Sequence, residues 1–477
     1  MKKIQYILPV LLMFFGCSDF LDEVSQDKLV PEKTDHYSAL LLQEFNFEYP
    51  IFYTVDYMTD NVVENANAYT STKENKKTTY TWQREIEIDE YGNTLSNINN
   101  SWEKMYEDVA VANYVIDFID DALGEPAEND YVKGEALFIR ALSYFNLLNL
   151  YGQPYNASSA NVDLGVPIRV DIGVEETYNR NTVAECYAQI EDDLTQAAAL
   201  IESSGITKSK WHPNLATCNL LMSRVKLYQK QWDETITYAN KVIAAAGVTK
   251  ISASLPFITE DNSEVLYSYY TATPAFPNEN GAYRANKALV ALYDDADIRK
   301  EAFFSATDDG SGKLFYQPKK YIRDTYTTLG FANFRVAEAY LNRAEAYAQK
   351  QDVANAVNDV KTLHSKRYSN TSGVEYPTAA DAVISYVLTE RRKELCFEDH
   401  HRWFDLRRME NRPEIKHTFT LINESAVKVG TEVYTLLPND LNYTLPIPLK
   451  ERQNNPLIRN NERYEKIPQI TEEVDVD

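Results

Sequence analysis

The stretch ELCFEDHHRWFDLRR, Glu394 to Arg408, concentrates residue types that could do chemistry. Cys396, Glu398, Asp399, His400, His401 and Asp405 are all metal-ligand types. On a continuous helix from Asp381 to Arg408, Glu398, His401 and Asp405 fall at i, i+3 and i+7, on one face. That spacing also suits ordinary helix pairs, His401 with Asp405 and Glu398 with Arg402. Arg391, Arg392, Arg402, Arg407 and Arg408 crowd the same segment. Their positive field opposes a bound cation, and guanidiniums dock carboxylates such as Glu394 in a bidentate manner. Trp403, Phe404 and Leu406 supply an apolar side. An ion-pair network on a packed helix is favoured over a metal or acid–base site. No catalytic residue, metal or cofactor is assigned.

The elements that must position this segment are mostly helices. Ser101–Leu123 places Trp102, Met105, Val109, Ala112 and Ile116 on one stripe, with Ser101 as N-cap. Asp130–Gly152 reads as a second helix, ended by Gly152 and Pro154. Thr182–Gly205 reads as a third, with a Thr182/Glu185 capping box and Gly205 as terminator. Two further stretches look alike, Leu220–Ile243 and Tyr340–Leu363. Each is a helix, a polar QKQ turn and a second helix. Ser223 and Thr235 in one, and Ala344 and Ala356 in the other, are small residues that would let paired helices approach. This resembles the tetratricopeptide hairpin, with two generic hairpins as the alternative.

Between the helical blocks lie two long irregular stretches, Tyr53–Asn100 and Ile251–Gly330. Their aromatic content argues against disorder, and loops of this length are commonly functional. The tail from Asn411 carries short β-prone runs.

Composition narrows the function. The 477 residues carry a net charge of −23, which disfavours nucleic acid held through its phosphates. Fifteen glycines are few for folds built on Gly-rich phosphate loops. Lys2 and Lys3 precede a short apolar run, Ile4–Gly16, as in an export signal too short to span a bilayer. The run ends in FFGC, which resembles a bacterial lipobox with Cys17 as the lipidated residue. An ordinary signal peptide with an incidental cysteine is the alternative. Ser18–Asp35 is polar and reads as a tether. Cys186, Cys218 and Cys396 show no CxxC spacing and read as small buried residues on helices rather than a disulfide framework.

ERRKELCFEDHHRWFDLRR, Glu390 to Arg408, resembles the C-terminal signature of the SusD/RagB family of Bacteroidetes outer-membrane lipoproteins. Asp399 and His400 stand where that pattern commonly has a single Gly, so the turn is expected to differ. CSDFLDE (Cys17–Glu23), GEALFIRALSYFNLLNLYGQP (Gly134–Pro154) and LPIPLKERQNNPLIRNN (Leu445–Asn461) resemble three other family motifs. The resemblance spans essentially the whole chain. It implies a mostly α fold, a tetratricopeptide-like hairpin scaffold with long irregular loops and minor β. The expected organisation is a signal at 1–16, a lipidated tether at 17–35 and a body at 36–477. Within the body, helical scaffold is expected at about 101–250 and 332–411, ligand-side loops at about 53–100 and 251–330, and an irregular tail at 412–477. The resemblance also implies an outer-membrane surface protein, lipid-anchored, that captures oligosaccharides or, in some branches, peptides. Its implied partner is a SusC-like TonB-dependent transporter. Asp19, Asp22 and Glu23 fit the family's surface-export signal.

Sugar rings stack on flat aromatic faces, and their hydroxyls need amide and carboxylate partners. The long loops offer Tyr80 and Trp82, then Tyr269, Tyr270, Phe276, Tyr283 and Arg284, with Asp60 and Asn61 as polar candidates. Two other readings stay open: a helical-repeat scaffold for another protein, and a hydrolase with paired carboxylates. For the latter no nucleophile elbow or HExxH is present.

Overall fold

A computed structural model describes residues 31–47, 54–89, 91–95, 101–173, 177–254, 256–270, 281–308, 313–320, 329–330, 332–423, 425 and 427–471. The export signal, Cys17, most of the tether and Phe276 lie outside the described residues.

The core is a helix, Pro126–Tyr151, buried on nearly all sides from Asn129 onward. Pro126 opens it where a missing N–H costs nothing. Helices Ser101–Phe118 and Val183–Ser204 pack against it. The approach to the latter is close at Gly134, where a Cβ would sit 2.9 Å from Ile201 Cγ1. Arg140 then ties the pair together, donating to both oxygens of Asp193 at 2.9 and 2.6 Å. The Thr182/Glu185 capping box is present in both directions, and Gly205 ends the helix at φ 65°.

The two similar stretches are helical hairpins, Leu215–Tyr228 with Trp232–Ala245, and Val336–Gln349 with Val353–Arg367. Lys230 and Gln351 make their turns at φ 60° and 61°. The N–H donors that close these turns are Gln231 onto Lys226 O and Asp352 onto Tyr347 O, both at 2.9 Å. Ser223, Thr235, Ala344 and Ala356 are fully buried at the helix contacts. The structural match therefore runs one position out of step with the QKQ match. Packing, not the polar turn, sets the equivalence. Arg224 joins the hairpins through a bidentate pair with Glu338, at 2.6 and 2.7 Å.

The expected continuous helix from Asp381 to Arg408 does not form. A helix runs Ala380–Glu394 and a second His401–Arg408. Between them Phe397, Asp399 and His400 take φ of 56°, 44° and 57°. Asp399 and His400, in place of a lone glycine, thus both adopt the left-handed region. The side chains of Glu398 and Asp399 are drawn instead to distant cations, described below.

The first irregular stretch contains short helices at Thr54–Tyr57, Ser71–Asn75 and Lys77–Tyr80. The second contributes strands to a four-stranded and a two-stranded sheet. The tail forms an antiparallel hairpin, Ile415–Ile422 with Lys428–Leu436, joined by a third strand, Gln469–Thr471. Among the described residues no helix is long and apolar enough to cross a membrane.

Candidate ligand-binding cleft

Cross-strand partners in an antiparallel sheet share a face. In the tail sheet, His417 opposes Tyr434, Phe419 opposes Glu432, and Glu432 opposes Ile470. These residues therefore line one surface, and its two halves have different fates.

The half nearest Ile415–Ile422 is sealed. The His417 ring lies between Tyr80, stacked at 4.1 Å, and Trp82, stacked at 4.2 Å. Its ring nitrogens meet Tyr80 O at 2.7 Å and Thr59 O at 3.0 Å. Trp82 is fully buried at φ 54°. Its Nε1 donates to Met58 O at 2.8 Å, and its carbonyl accepts from Asn442 Nδ2 at 2.6 Å.

The other half is open and floors a cleft of about 540 Å³. Glu432 and Tyr434 line it from the central strand and Pro468 from the segment beside it. Lys77, Thr78, Thr81 and Gln83 form a wall. At the rim stands a hairpin turn closed by Leu95 N donating to Glu87 O at 2.7 Å. The Asp89 carboxylate holds this turn, accepting from Tyr91 N at 2.9 Å, Asn93 N at 2.8 Å and Asn93 Nδ2 at 2.9 Å. These hydrogen bonds, that of the Asn93 side chain foremost, hold the Asp89 carboxyl below its usual range. Gly92 supplies φ 85°, which a side chain would strain. The turn presents Tyr91 at 81% exposure, a planar ring on a braced backbone beside polar groups.

The aromatic positions expected from sequence do not line this cleft. Tyr80, Trp82, Tyr269, Tyr270 and Tyr283 are buried, so protein covers the ring faces a ligand would need. Tyr283 donates to Lys73 O at 3.0 Å and Tyr269 to Asp399 Oδ1 at 2.7 Å. Arg284 lies over Phe315 at 3.7 Å. Asp60 accepts from Arg402 Nε and Nη2, both at 2.7 Å, and Asn61 Oδ1 from Arg392 Nε at 2.7 Å. Burial disfavours charge on Asp60, but Arg402 and Arg392 outweigh it and lower its carboxyl to about 2. Tyr91, Arg84 and Glu465 at the cleft were not singled out from sequence. The local signal was the turn Asp89-Glu90-Tyr91-Gly92-Asn93, with an aromatic at its tip.

The signature segment is a buried ion-pair network. Glu398 binds Arg335 at 2.8 Å and Lys320 at 2.6 Å, and Glu394 binds Arg335, Arg367 and Arg299. Arg391 pairs with Asp405 at 2.9 Å and reaches His401 Nδ1 at 3.3 Å. The helix pairs His401–Asp405 and Glu398–Arg402 give way to these contacts. Burial, with Arg224 and Arg391 beside it, keeps His401 neutral, its pKa well below the ordinary value. Trp403 stacks on Tyr443, and Arg407 donates to Asn149 O and Gly152 O at the end of the central helix. Cys186, Cys218 and Cys396 are buried free thiols, and Cys396 lies in the interhelix turn rather than on a helix. Among the described residues no group of three or more His, Cys, Asp or Glu is arranged to hold a metal.

With this architecture in view, two family models match the chain. One, described as starch-binding associating with outer membrane, matches residues 19–227. The other, the SusD family, matches residues 262–464. The chain belongs to the SusD/RagB family. Among similar curated proteins is SusD-like protein P25 of Formosa agariphila, 23% identical over 439 residues, covering 76% of this chain and 78% of that protein. Among solved structures, a putative sugar binding protein from Bacteroides vulgatus matches at TM-score 0.70 and 24% identity, over 91% of this chain and 99% of that one. A SusD-like carbohydrate binding protein from the same species matches at TM-score 0.69 and 21% identity, over 90% and 97%. The mostly α SusD fold expected from sequence is thus the fold of the chain.

Proposed function

We propose that this SusD/RagB protein is a cell-surface binding lipoprotein that captures oligosaccharides in the cleft beside Tyr91 and performs no chemistry on them. In this reading residues 1–16 are an export signal, Cys17 carries the lipid and a polar tether leads to the body. The captured chain passes to a SusC-like TonB-dependent transporter in the outer membrane. Support comes from family membership and from fold relatives described as sugar or carbohydrate binding proteins.

The observation that carries the reading is Tyr91. An exposed ring on a backbone braced by the Asp89–Gly92 turn meets a saccharide C–H face with little backbone ordering cost, and neighbouring polar groups can receive hydroxyls. Native gels containing polysaccharide test it. The protein should be retarded by its ligand, and Tyr91→Ala should relieve that retardation while the melting temperature holds. Retardation unchanged in Tyr91→Ala would move the site elsewhere. Release of reducing ends from the ligand would point to a hydrolase.

A further inference from the structure

The charge lining the cleft bears on which saccharides it accepts. Five carboxylates and three cations line it. Two of the cations are already engaged. Lys77 Nζ lies 3.1 Å from Glu432 Oε2 and 4.9 Å over the Phe419 ring, with its side chain only 11% exposed. Lys466 Nζ is bound to the Asp440 carboxylate and donates to Thr435 O at 3.2 Å. Glu85 in turn is held by Arg452 from outside the lining, at 2.7 and 3.2 Å.

Arg84 is therefore the one lining cation, among the described residues, whose side chain has no protein partner. It is exposed, and so is Glu465, whose carboxylate is likewise unpartnered. Asp89 adds a second negative charge next to Tyr91, fixed there by the turn it braces. A guanidinium offset by these carboxylates does not make an anion site. The chain as a whole, at −23, repels polyanions before they arrive.

We infer that the cleft selects saccharide chains without carboxylate or sulfate groups, neutral or amino-bearing, and discriminates against uronate-rich and sulfated ones. Two of the cleft's three cations are committed to protein carboxylates, the third, Arg84, is outnumbered by Glu465 and Asp89, and the stacking surface, Tyr91, is indifferent to charge. The inference rests on the proposed cleft being the ligand site, and it adds the class of ligand. A like-charge contact within about 8 Å at a partly exposed site weakens binding by roughly a few-fold at physiological salt, and several such contacts along a polyanionic chain multiply.

An immobilised panel of neutral, amino-bearing, uronate and sulfated oligosaccharides of matched length tests it, with calorimetry on the retained members. The expected result is that the tightest binder is neutral or amino-bearing and loses at least about tenfold in affinity on Tyr91→Ala. Glu465→Lys should raise affinity for the uronate and sulfated members, and 0.5 M salt should remove most of that gain. A uronate or sulfated chain as the tightest binder, still dependent on Tyr91, would overturn the charge selectivity and leave the functional reading standing. A tightest binder indifferent to Tyr91→Ala would overturn the cleft as the site, and the selectivity with it. A panel with no retained member would overturn the functional reading itself.

Discussion

The Arg335 guanidinium grips the Glu398 carboxylate through two hydrogen bonds, Nε at 2.8 Å and Nη2 at 2.9 Å, with both side chains essentially sealed from water. Arg335 precedes the second hairpin, while Glu398 sits in the turn that breaks the signature segment. The pair therefore clamps two parts of the fold that are distant in sequence. Lys320 adds a third contact at 2.6 Å, and Glu264 and Glu394 balance the remaining face of Arg335.

Glu398→Ala should be among the most damaging single changes. It leaves Arg335 and Lys320 short of a counter-charge in the interior, and loss of one buried partner costs about 3–5 kcal/mol. Urea denaturation should show a strongly lowered midpoint. Glu465→Gln, on the exposed cleft rim, should stay within about 0.5 kcal/mol of the parent. Equal midpoints for Glu398→Ala and the parent would mean the network contributes little.

His400 and His401 test the structural role of the adjacent histidines. His400 Nδ1 meets Asp56 Oδ2 at 2.7 Å, and His401, held neutral, accepts from Arg391. His400→Ala and His401→Ala should each lower the melting temperature, with glycan retardation preserved. Elemental analysis should find no zinc that depends on them. Stoichiometric zinc lost in both variants would restore the metal reading.

Legibility in the sequence followed the range of the interactions. The Thr182/Glu185 box and the Gly205 terminator are local, so spacing alone revealed them. The small residues of the two hairpins were legible because they repeat. The break at 395–400 was not. Its residues answer to Arg335, Lys320 and Arg224, which lie 63, 78 and 175 positions away, so helical periodicity ran straight through it. The burial of the expected site aromatics was hidden for a related reason. Aromatic content marked the stretch from Tyr53 to Asn100, but only the pairing of the tail sheet decides which rings are sealed. His417, more than three hundred residues downstream, claims both faces presented by Tyr80 and Trp82.

Trp82 and Tyr91 should accordingly separate stability from binding. Trp82→Ala empties a buried site between His417 and Met58 and should cost about 3–5 kcal/mol. Tyr91→Ala removes an exposed ring and should leave the denaturation midpoint within about 0.5 kcal/mol while weakening glycan binding. The reverse pattern, a stable Trp82→Ala that no longer binds, would return the site to the buried aromatics.

Acid should unfold the protein through its paired carboxylates, and Asp60 gives the pH window. Burial opposes its charge, but Arg402 and Arg392 bring its carboxyl from 3.8 down to about 2 in the folded chain. Between those values the unfolded chain binds the proton and the folded chain does not, so stability falls as pH drops. The contribution is fully present above about pH 5 and lost toward pH 2. It amounts to about 1–2 kcal/mol once the partial exposure of Asp60 is allowed for. Glu390, held below its usual range by Arg299 and Lys393 despite burial, and Glu394, held low by Arg367 and Arg335 despite burial, steepen the same limb. Asp60→Asn should be less stable than the parent at pH 7, with the gap closing as pH approaches 2. Urea midpoints measured across pH 2–7 would show it, and a gap that stayed constant with pH would mean the Arg402 pairing does not hold Asp60 charged.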